Sequence, residues 1–218
     1  MFRVTLNMKN LRLIGDVHGK VHKYVPIANN AEHSIQIGDM GFAGSYQLLR
    51  DMELDSTRHK FLPGNHDGYN VLPNEFSLPD FGILEDTTFG KIFFVRGAFS
   101  IDKNHRTLGI DYFSNEELSY KQSLGAYELY MNERPDIVLS HEGPTLATRK
   151  ITSPAILKEF GWNPSTFLTS TTRMLNTMLD SHVPKLWVFG HYHRPLDQVI
   201  SGCRFICLAE LQYYDLLA

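Results

Sequence analysis

Cysteine is scarce in this chain of 218 residues, which contains only Cys203 and Cys207. The two lie four positions apart in a segment typical of a strand. At that spacing their Cα atoms would be about 13 Å apart, too far for a disulfide. We therefore predict two reduced, buried thiols, as expected in a reducing compartment.

The chain also lacks long apolar runs and a strong excess of either charge. No run approaches the roughly 18 apolar residues that a membrane span needs, and residues 1–7 lack the apolar centre of a signal peptide. We therefore expect a cytoplasmic protein without a membrane partner. A net charge of −3 argues against a broad nucleic-acid-binding face. A hydrophobic content of 43% is ordinary for a globular protein with a core.

Short apolar segments alternate with helical patterns, which favours an α/β fold with sheets covered on both faces. The predicted strands are Leu11–Gly15, Ser34–Gly38, Lys60–Leu62, Lys91–Val95, Ile137–Leu139, Leu186–Phe189 and Gln198–Leu208. The predicted helices span about 21–29 and 44–54, then run from a Ser114/Glu117 capping box to Asn132, from Ser153-Pro154 to Gly161, and from Asn163-Pro164 to Leu179. No repeat or linker divides the chain.

Residues of the types that bind metals follow five of the apolar segments. In layered α/β folds the carboxyl ends of strands converge on one edge, where ligands bind. An aspartate there could instead cap a helix, and an asparagine could form a turn. Residues two apart would point the same way in extended backbone, which pairs Asp16 with His18 and His191 with His193. The candidates are Asp16, His18, Asp39, Asn65, His66, Asp67, His141, His191 and His193.

These motifs, in this order, resemble those of the calcineurin-like metallophosphoesterase superfamily. The matching stretches are Asp16-x-His18, Gly38-Asp39, Gly64-Asn65-His66-Asp67, His141 and Gly190-His191-Tyr192-His193. The resemblance implies a four-layer αββα sandwich, in which helices flank two mixed β-sheets. It also implies a single metallophosphoesterase domain over residues 1–218, of which residues 1–7 could be an N-terminal extension.

The resemblance also implies a set of ligands for two divalent cations. Asp39 would bridge both cations. Asp16, His18 and His193 would complete one site, and Asn65, His141 and His191 the other. Mixed nitrogen and oxygen donors suit Mn, which we favour, as well as Fe, Zn, Co or Ni. The surplus positive charge would lower the pKa of a bridging water and attract a phosphate group.

A catalytic hypothesis follows for the third motif. A hydroxide bridging the metals would attack phosphorus, and His66 would donate a proton to the leaving alkoxide. Asp67 would orient the His66 imidazole and favour its cationic form. Asn65 and His66 would also contact the substrate. The remaining histidines are interpreted as core or surface residues: His22, His33, His59, His105 and His182.

The second motif departs from the phosphoprotein-phosphatase branches of the superfamily, which continue Gly-Asp-x-x-Asp-Arg-Gly. Phe42 and Ala43 replace the last aspartate and the phosphate-binding arginine. Arg149, Lys150 or Arg194 could replace the lost guanidinium, although basic residues are usually solvated. The stretch from Glu142 to Asn163 could be either a substrate lid or a plain surface connection.

We therefore expect an enzyme that hydrolyses phosphomonoesters or phosphodiesters, with a small phosphate ester or nucleotide as substrate. The missing arginine favours diesters, because a monoester carries more charge to neutralise. One alternative is a nuclease acting on short or single-stranded nucleic acid, which the net charge does not favour. Another is a catalytically silent interaction scaffold, but the ligand positions are all present. The sequence leaves the oligomeric state open.

Overall fold

A computed structural model describes residues 2–6, 9–41 and 43–217. Its strands are β1 (Arg3–Leu6), β2 (Asn10–Ile14), β3 (Ser34–Gln36), β4 (His59–Phe61), β5 (Phe81–Asp86), β6 (Gly90–Val95), β7 (Ile137–Ser140), β8 (Leu186–Phe189), β9 (Leu196–Ile200), β10 (Cys203–Cys207) and β11 (Tyr213–Leu217). Its helices are α1 (Val21–Asn29), α2 (Ala43–Asp51), α3 (Tyr120–Glu133), α4 (Thr145–Thr148), α5 (Pro154–Glu159) and α6 (Ser170–Ser181), with a 3-10 turn at Lys103–His105.

The strands form two mixed sheets. The larger has seven strands in the order β1-β5-β6-β7-β8-β10-β9, and the smaller has four in the order β11-β2-β3-β4. Strands β2, β3 and β4 run parallel in the small sheet, as do β6, β7, β8 and β10 in the large one. Antiparallel strands lie at or near the edges.

Three apolar clusters separate four layers. One cluster lies between the two sheets, one between the large sheet and helices α3 and α6, and one between the small sheet and helices α1 and α2. Strand β8 shows why its sequence is uniformly apolar: Leu186 and Val188 enter the central cluster, whereas Trp187 and Phe189 enter the helix-facing cluster. The predicted αββα sandwich is therefore confirmed.

Two predicted helix starts are wrong. Helix α3 is capped by Ser119 in a capping box with Gln122, not by Ser114 with Glu117. The Glu117 carboxylate instead accepts hydrogen bonds from the backbone N–H and hydroxyl of Thr171, 54 positions away in sequence. Helix α6 begins after Thr169, whose hydroxyl accepts the Thr172 N–H, and not near Asn163.

The long strand predicted near the end of the chain is also wrong. Residues 198–208 form no single strand, because Ser201 and Gly202 adopt φ values of 50° and 86°, typical of a two-residue hairpin turn between β9 and β10. Cys203 and Cys207 are free and buried, as expected.

The expected N-terminal extension is only partly described. Residues 1 and 7 lie outside the described residues, and β1 pairs with β5. Among the described residues, no helix has both the length and the apolar character that a membrane span requires.

Candidate metal centre

Loops after β2 and β8 bring three predicted ligands together. The Nε2 atom of His193 lies 2.9 Å from Oδ2 of Asp16. The Nε2 atom of His18 lies 2.8 Å from that of His193 and 3.7 Å from Oδ2 of Asp16. One donor atom from each residue therefore points at a common centre, where a metal ion could be held.

A second cluster lies beside the first and contains Asp39, His141 and His191. Nε2 of His141 lies 3.2 Å from Oδ2 of Asp39 and 3.1 Å from Oδ1 of Asn65. The Asp39 carboxylate also faces the first cluster, since its Oδ2 lies 3.9 Å from Nε2 of His18. The structure thus groups the predicted ligands in two sets that meet at Asp39.

Hydrogen bonds with backbone groups determine the direction of these metal-binding side chains. Each aspartate uses one carboxylate oxygen for the fold: Oδ1 of Asp16 accepts the His191 N–H at 3.1 Å, and Oδ1 of Asp39 accepts the His66 N–H at 2.8 Å. Their Oδ2 atoms remain directed at the histidines. Nδ1 of His141 donates to the Ile37 carbonyl at 2.9 Å, which directs Nε2 at Asp39.

Several features fit a pair of bound cations. Oδ2 of Asp16 is buried and has no hydrogen-bond partner among the described residues. Burying such a carboxylate oxygen costs free energy unless a cation binds to it. His18, Asp39, His191 and His193 all have positive φ, between 48° and 68°. Such backbone costs of order 1 kcal/mol or more per residue, and it clusters at functional sites.

Glycines provide the space for the donors. A Cβ added to Gly64 would lie 2.7 Å from Nε2 of His141 and would overlap the Asp39 carboxylate. A Cβ at Gly190 would overlap the Asp16 carboxylate. The glycines of the motifs therefore let the loops approach closely enough for the side chains to converge.

Charges in the centre are strongly coupled. Burial would raise the pKa of Asp16, but the close imidazoles of His18 and His193 outweigh it and hold that pKa at about 2. Burial opposes the cationic form of His141, but the charge of Asp39 raises its pKa to about 10. Burial and the charge of His141 lower the pKa of His191 to about 3. The carboxylates thus retain a positively charged neighbour, a role that divalent cations would take over on binding.

The expected extended geometry of the ligand pairs is wrong. Asp16 and His18 do not lie on one strand face, because His18 has a φ of 48° and the chain turns immediately after β2. The turn folds the imidazole back towards Asp16. In the last motif, His191 and His193 point into different clusters, since both have left-handed backbone.

The role predicted for Asp67 also needs correction. Its carboxylate accepts backbone N–H groups from Gly64 at 2.7 Å, Asp39 at 3.0 Å and Gly41 at 2.9 Å, together with the Tyr46 hydroxyl. Asp67 therefore connects two ligand-bearing loops behind the centre, and it does not orient the His66 ring. Burial, together with the charge of Asp39, raises the pKa of Asp67 to about 6.

Arg106 occupies the position that Asp67 was predicted to have. Its Nη1 lies 3.0 Å from Nδ1 of His66 and its Nη2 lies 3.4 Å from Nε2. The guanidinium donates two hydrogen bonds, of 2.7 and 2.6 Å, to the Asp102 carboxylate. Since arginine only donates, the shorter contact requires an unprotonated Nδ1 and places the proton of a neutral His66 ring on Nε2.

Sequence reasoning missed Arg106 because no motif surrounds it and 40 positions separate it from His66. It also missed two residues that support Asn65. The Asn65 amide donates to the Ser100 hydroxyl at 3.0 Å, and that hydroxyl donates to Glu116 at 2.6 Å. The spacing of Asp102 and Arg106, which fits a local ion pair, was the only available signal.

A cavity of about 990 Å³ opens over the centre. Asn65, His66 and His191 lie on its surface, and the stretch from Glu142 to Thr169 forms much of its wall. Arg149 and Arg194, the predicted phosphate-binding residues, line the cavity, and both side chains are exposed. Lys150 is exposed as well. Phe42 lies outside the described residues. The stretch from Glu142 to Asn163 is therefore part of the cavity wall.

The chain belongs to the calcineurin-like phosphoesterase family, whose model matches residues 10–195. This range contains every residue of the two clusters and His66. A comparison with curated proteins found no match.

Solved structures resemble this chain to different degrees. One, provisionally named a 5′-nucleotidase from Staphylococcus aureus and solved with α-ketoglutarate, superposes with a TM-score of 0.54 at 12% identity over 94% of this chain and 50% of the other. This chain therefore spans half the length of that protein. A phosphopantetheinyl hydrolase from Mycobacterium tuberculosis gives a TM-score of 0.43 at 16% identity, over 93% and 90% of the two chains. An archaeal phosphodiesterase gives 0.41 at 11% identity, over 96% and 99%.

Proposed function

We propose that this phosphoesterase holds two divalent cations and hydrolyses phosphomonoesters or phosphodiesters with a water molecule activated between them. The observation that carries the proposal is the pair of adjacent carboxylate–imidazole clusters, in which the Asp39 carboxylate of the second cluster faces the first. Asp16, His18 and His193 would bind one cation, and Asn65, His141 and His191 the other. Manganese is the first choice, and Fe, Zn, Co or Ni also suit these donors.

The bound cations would supply the nucleophilic water and neutralise phosphate charge. The protein contributes the remaining steps. The backbone contacts of Asp16 and Asp39 keep one oxygen of each carboxylate directed inward. His66 lies with Nε2 4.0 Å from Oδ2 of Asp39, at the edge of the centre. In the tautomer that Arg106 favours, the Nε2–H of the neutral ring would donate a hydrogen bond to the leaving oxygen, which would take its proton from the water consumed in hydrolysis.

Arg106 also bears on the choice between monoesters and diesters. The argument for diesters was the missing guanidinium of the second motif, and that argument weakens because a guanidinium lies beside His66. Both ester classes therefore remain in the proposal. A nuclease stays the second enzymatic candidate, and an interaction scaffold without catalysis is the alternative of another class.

Metal content and hydrolysis test the proposal together. After manganese is supplied and excess removed, elemental analysis should find two ions per chain in the unaltered protein and fewer in an Asp39→Asn variant. An Asp197→Asn variant is the control, because Asp197 is an exposed carboxylate paired with Arg204. Rates on a nitrophenyl monoester and the matching diester should both depend on the metal. Protein without bound metal and without activity would support the scaffold.

A further inference from the structure

The cavity next to the metal centre contains apolar side chains that the protein core does not cover. Helix α5 has no buried residue, although it carries Ile156 and Leu157 and is followed by Phe160. All three line the cavity, and none belongs to the apolar clusters found among the described residues. Ile156 is 39% exposed. Apolar groups gathered on a concave surface are typical of a ligand-binding site.

Contacts across the cavity hold this wall in place. The indole N–H of Trp162 donates to the Ile101 carbonyl at 2.6 Å. The rings of Phe99, Trp162 and Phe167 pack with centroids 5.3 to 5.7 Å apart. Phe160 packs against the His105 ring at 6.0 Å. The segment between α5 and α6 is thus attached to residues 99–105, so the apolar surface is built into the fold.

The charged residues around the cavity favour an anionic ligand. The Glu142 carboxylate accepts hydroxyl hydrogen bonds from Thr169 and Thr172, and Asp102 is engaged by Arg106. Arg149 and Arg194 form no ion pair with any described residue. The cavity therefore offers unpaired positive charge and no free carboxylate, which suits an anion with an uncharged organic part.

The size of the cavity indicates what that organic part must be. Its volume of about 990 Å³ corresponds to roughly thirty times the volume of a water molecule in the liquid. A phosphate group has only five heavy atoms and would fill a small share. The volume is at the upper end of the range for small-molecule sites. The remaining space adjoins the apolar residues of α5 and the segment that follows it.

We propose that this cavity binds the organic group of the substrate, and that this group is bulky, uncharged and largely apolar, with at least the size of a fused ring pair. This inference rests on the proposed phosphoesterase function, because it places the phosphate at the metal centre. Leu157 and Phe160 would contact the organic group directly. Esters with small groups would leave the apolar wall in water and bind more weakly.

Non-hydrolysable phosphonates test the inference by binding alone. Naphthylmethylphosphonate should bind the manganese-loaded protein at least about tenfold more tightly than methylphosphonate in calorimetric titrations, because it buries much more apolar area. A Leu168→Ala variant should lose several-fold of this preference. Leu146→Ala is a matched control: both leucines are 39% exposed, but only Leu168 lines the cavity. Should Leu168→Ala fail to fold, Ile156→Ala replaces it.

The outcomes separate this inference from the proposed function. Equal affinity for the two phosphonates, or equal losses in Leu168→Ala and Leu146→Ala, would overturn the apolar site. Kinetics with phenyl and naphthyl phosphate, whose leaving groups differ little in acidity, complete the test. Hydrolysis of both with equal kcat/KM would refute the inference and leave the phosphoesterase intact. Selective binding of the naphthyl compound without hydrolysis of any ester would support the site and refute the enzyme.

Discussion

Replacing Arg106 with alanine should slow the hydrolysis of esters with poor leaving groups far more than that of nitrophenyl esters. Arg106 touches His66 through a 3.0 Å contact at Nδ1 and is held by Asp102. Without it, the imidazole loses the partner that fixes its orientation and tautomer. A nitrophenolate departs without a proton, so its release needs no help from His66.

The magnitude follows from the type of bond that is lost. A hydrogen bond to a charged group contributes about 1.5–3 kcal/mol, which corresponds to about 12- to 160-fold in rate. The loss on an alkyl phosphate should lie in that range. Burial, and to a smaller extent the charge of Arg106, also lower the pKa of His66.

The assay compares kcat/KM for an alkyl phosphate and for nitrophenyl phosphate in the Arg106→Ala, His66→Ala and double variants. If Arg106 acts through His66, the double variant should be no slower than His66→Ala alone. Arg204→Ala is the control. Arg204 donates two similar hydrogen bonds of 2.8 Å to Asp197, but this pair lies on a distant hairpin. Equal losses on both esters, or additive losses in the double variant, would refute the reasoning.

Two further changes test the fold around the site. Burial lowers the pKa of His59 to about 4 from 6.5, so the native state should lose up to about 3 kcal/mol as the pH falls from 6.5 to 4. In urea unfolding the loss of stability over this pH range should be smaller by that amount in His59→Gln, which retains the other titrating groups, and identical pH profiles would contradict it. Gly64→Ala should lower the metal content because its Cβ meets Asp39 and His141, whereas Gly44→Ala has nothing within 4 Å and should add about 0.5–1 kcal/mol of stability. Full metal content in Gly64→Ala would contradict the crowding argument.

Much of the fold could be predicted because the strands carry local signals. In β8 the uniform apolar run predicted a strand buried on both faces, and its alternate residues do face two different clusters. Helix boundaries were harder. Ser114 with Glu117 and Ser119 with Gln122 are both capping-box sequences, but only the second caps the helix, and Glu117 bonds instead to Thr171 of a helix distant in sequence.

The donor types of the candidate site were also evident, because each ligand follows a strand that ends at the same edge. Their directions were not. Asp67 follows His66 directly, yet it faces the Asp39 loop and leaves the His66 imidazole to Arg106. Neighbours in sequence point to opposite sides when the backbone between them turns, and only the packed loops determine which side each side chain takes.

The sequence by itself determined the family, the layered fold and the set of oxygen and nitrogen donors, since these depend on short motifs and on residue periodicity. The tertiary structure alone decided that Arg106 holds His66, that Ser100 and Glu116 support Asn65, and that α5 presents apolar side chains to the cavity. These contacts join segments far apart in sequence. Their formation depends on the free energy of packing the whole chain, which no local pattern records.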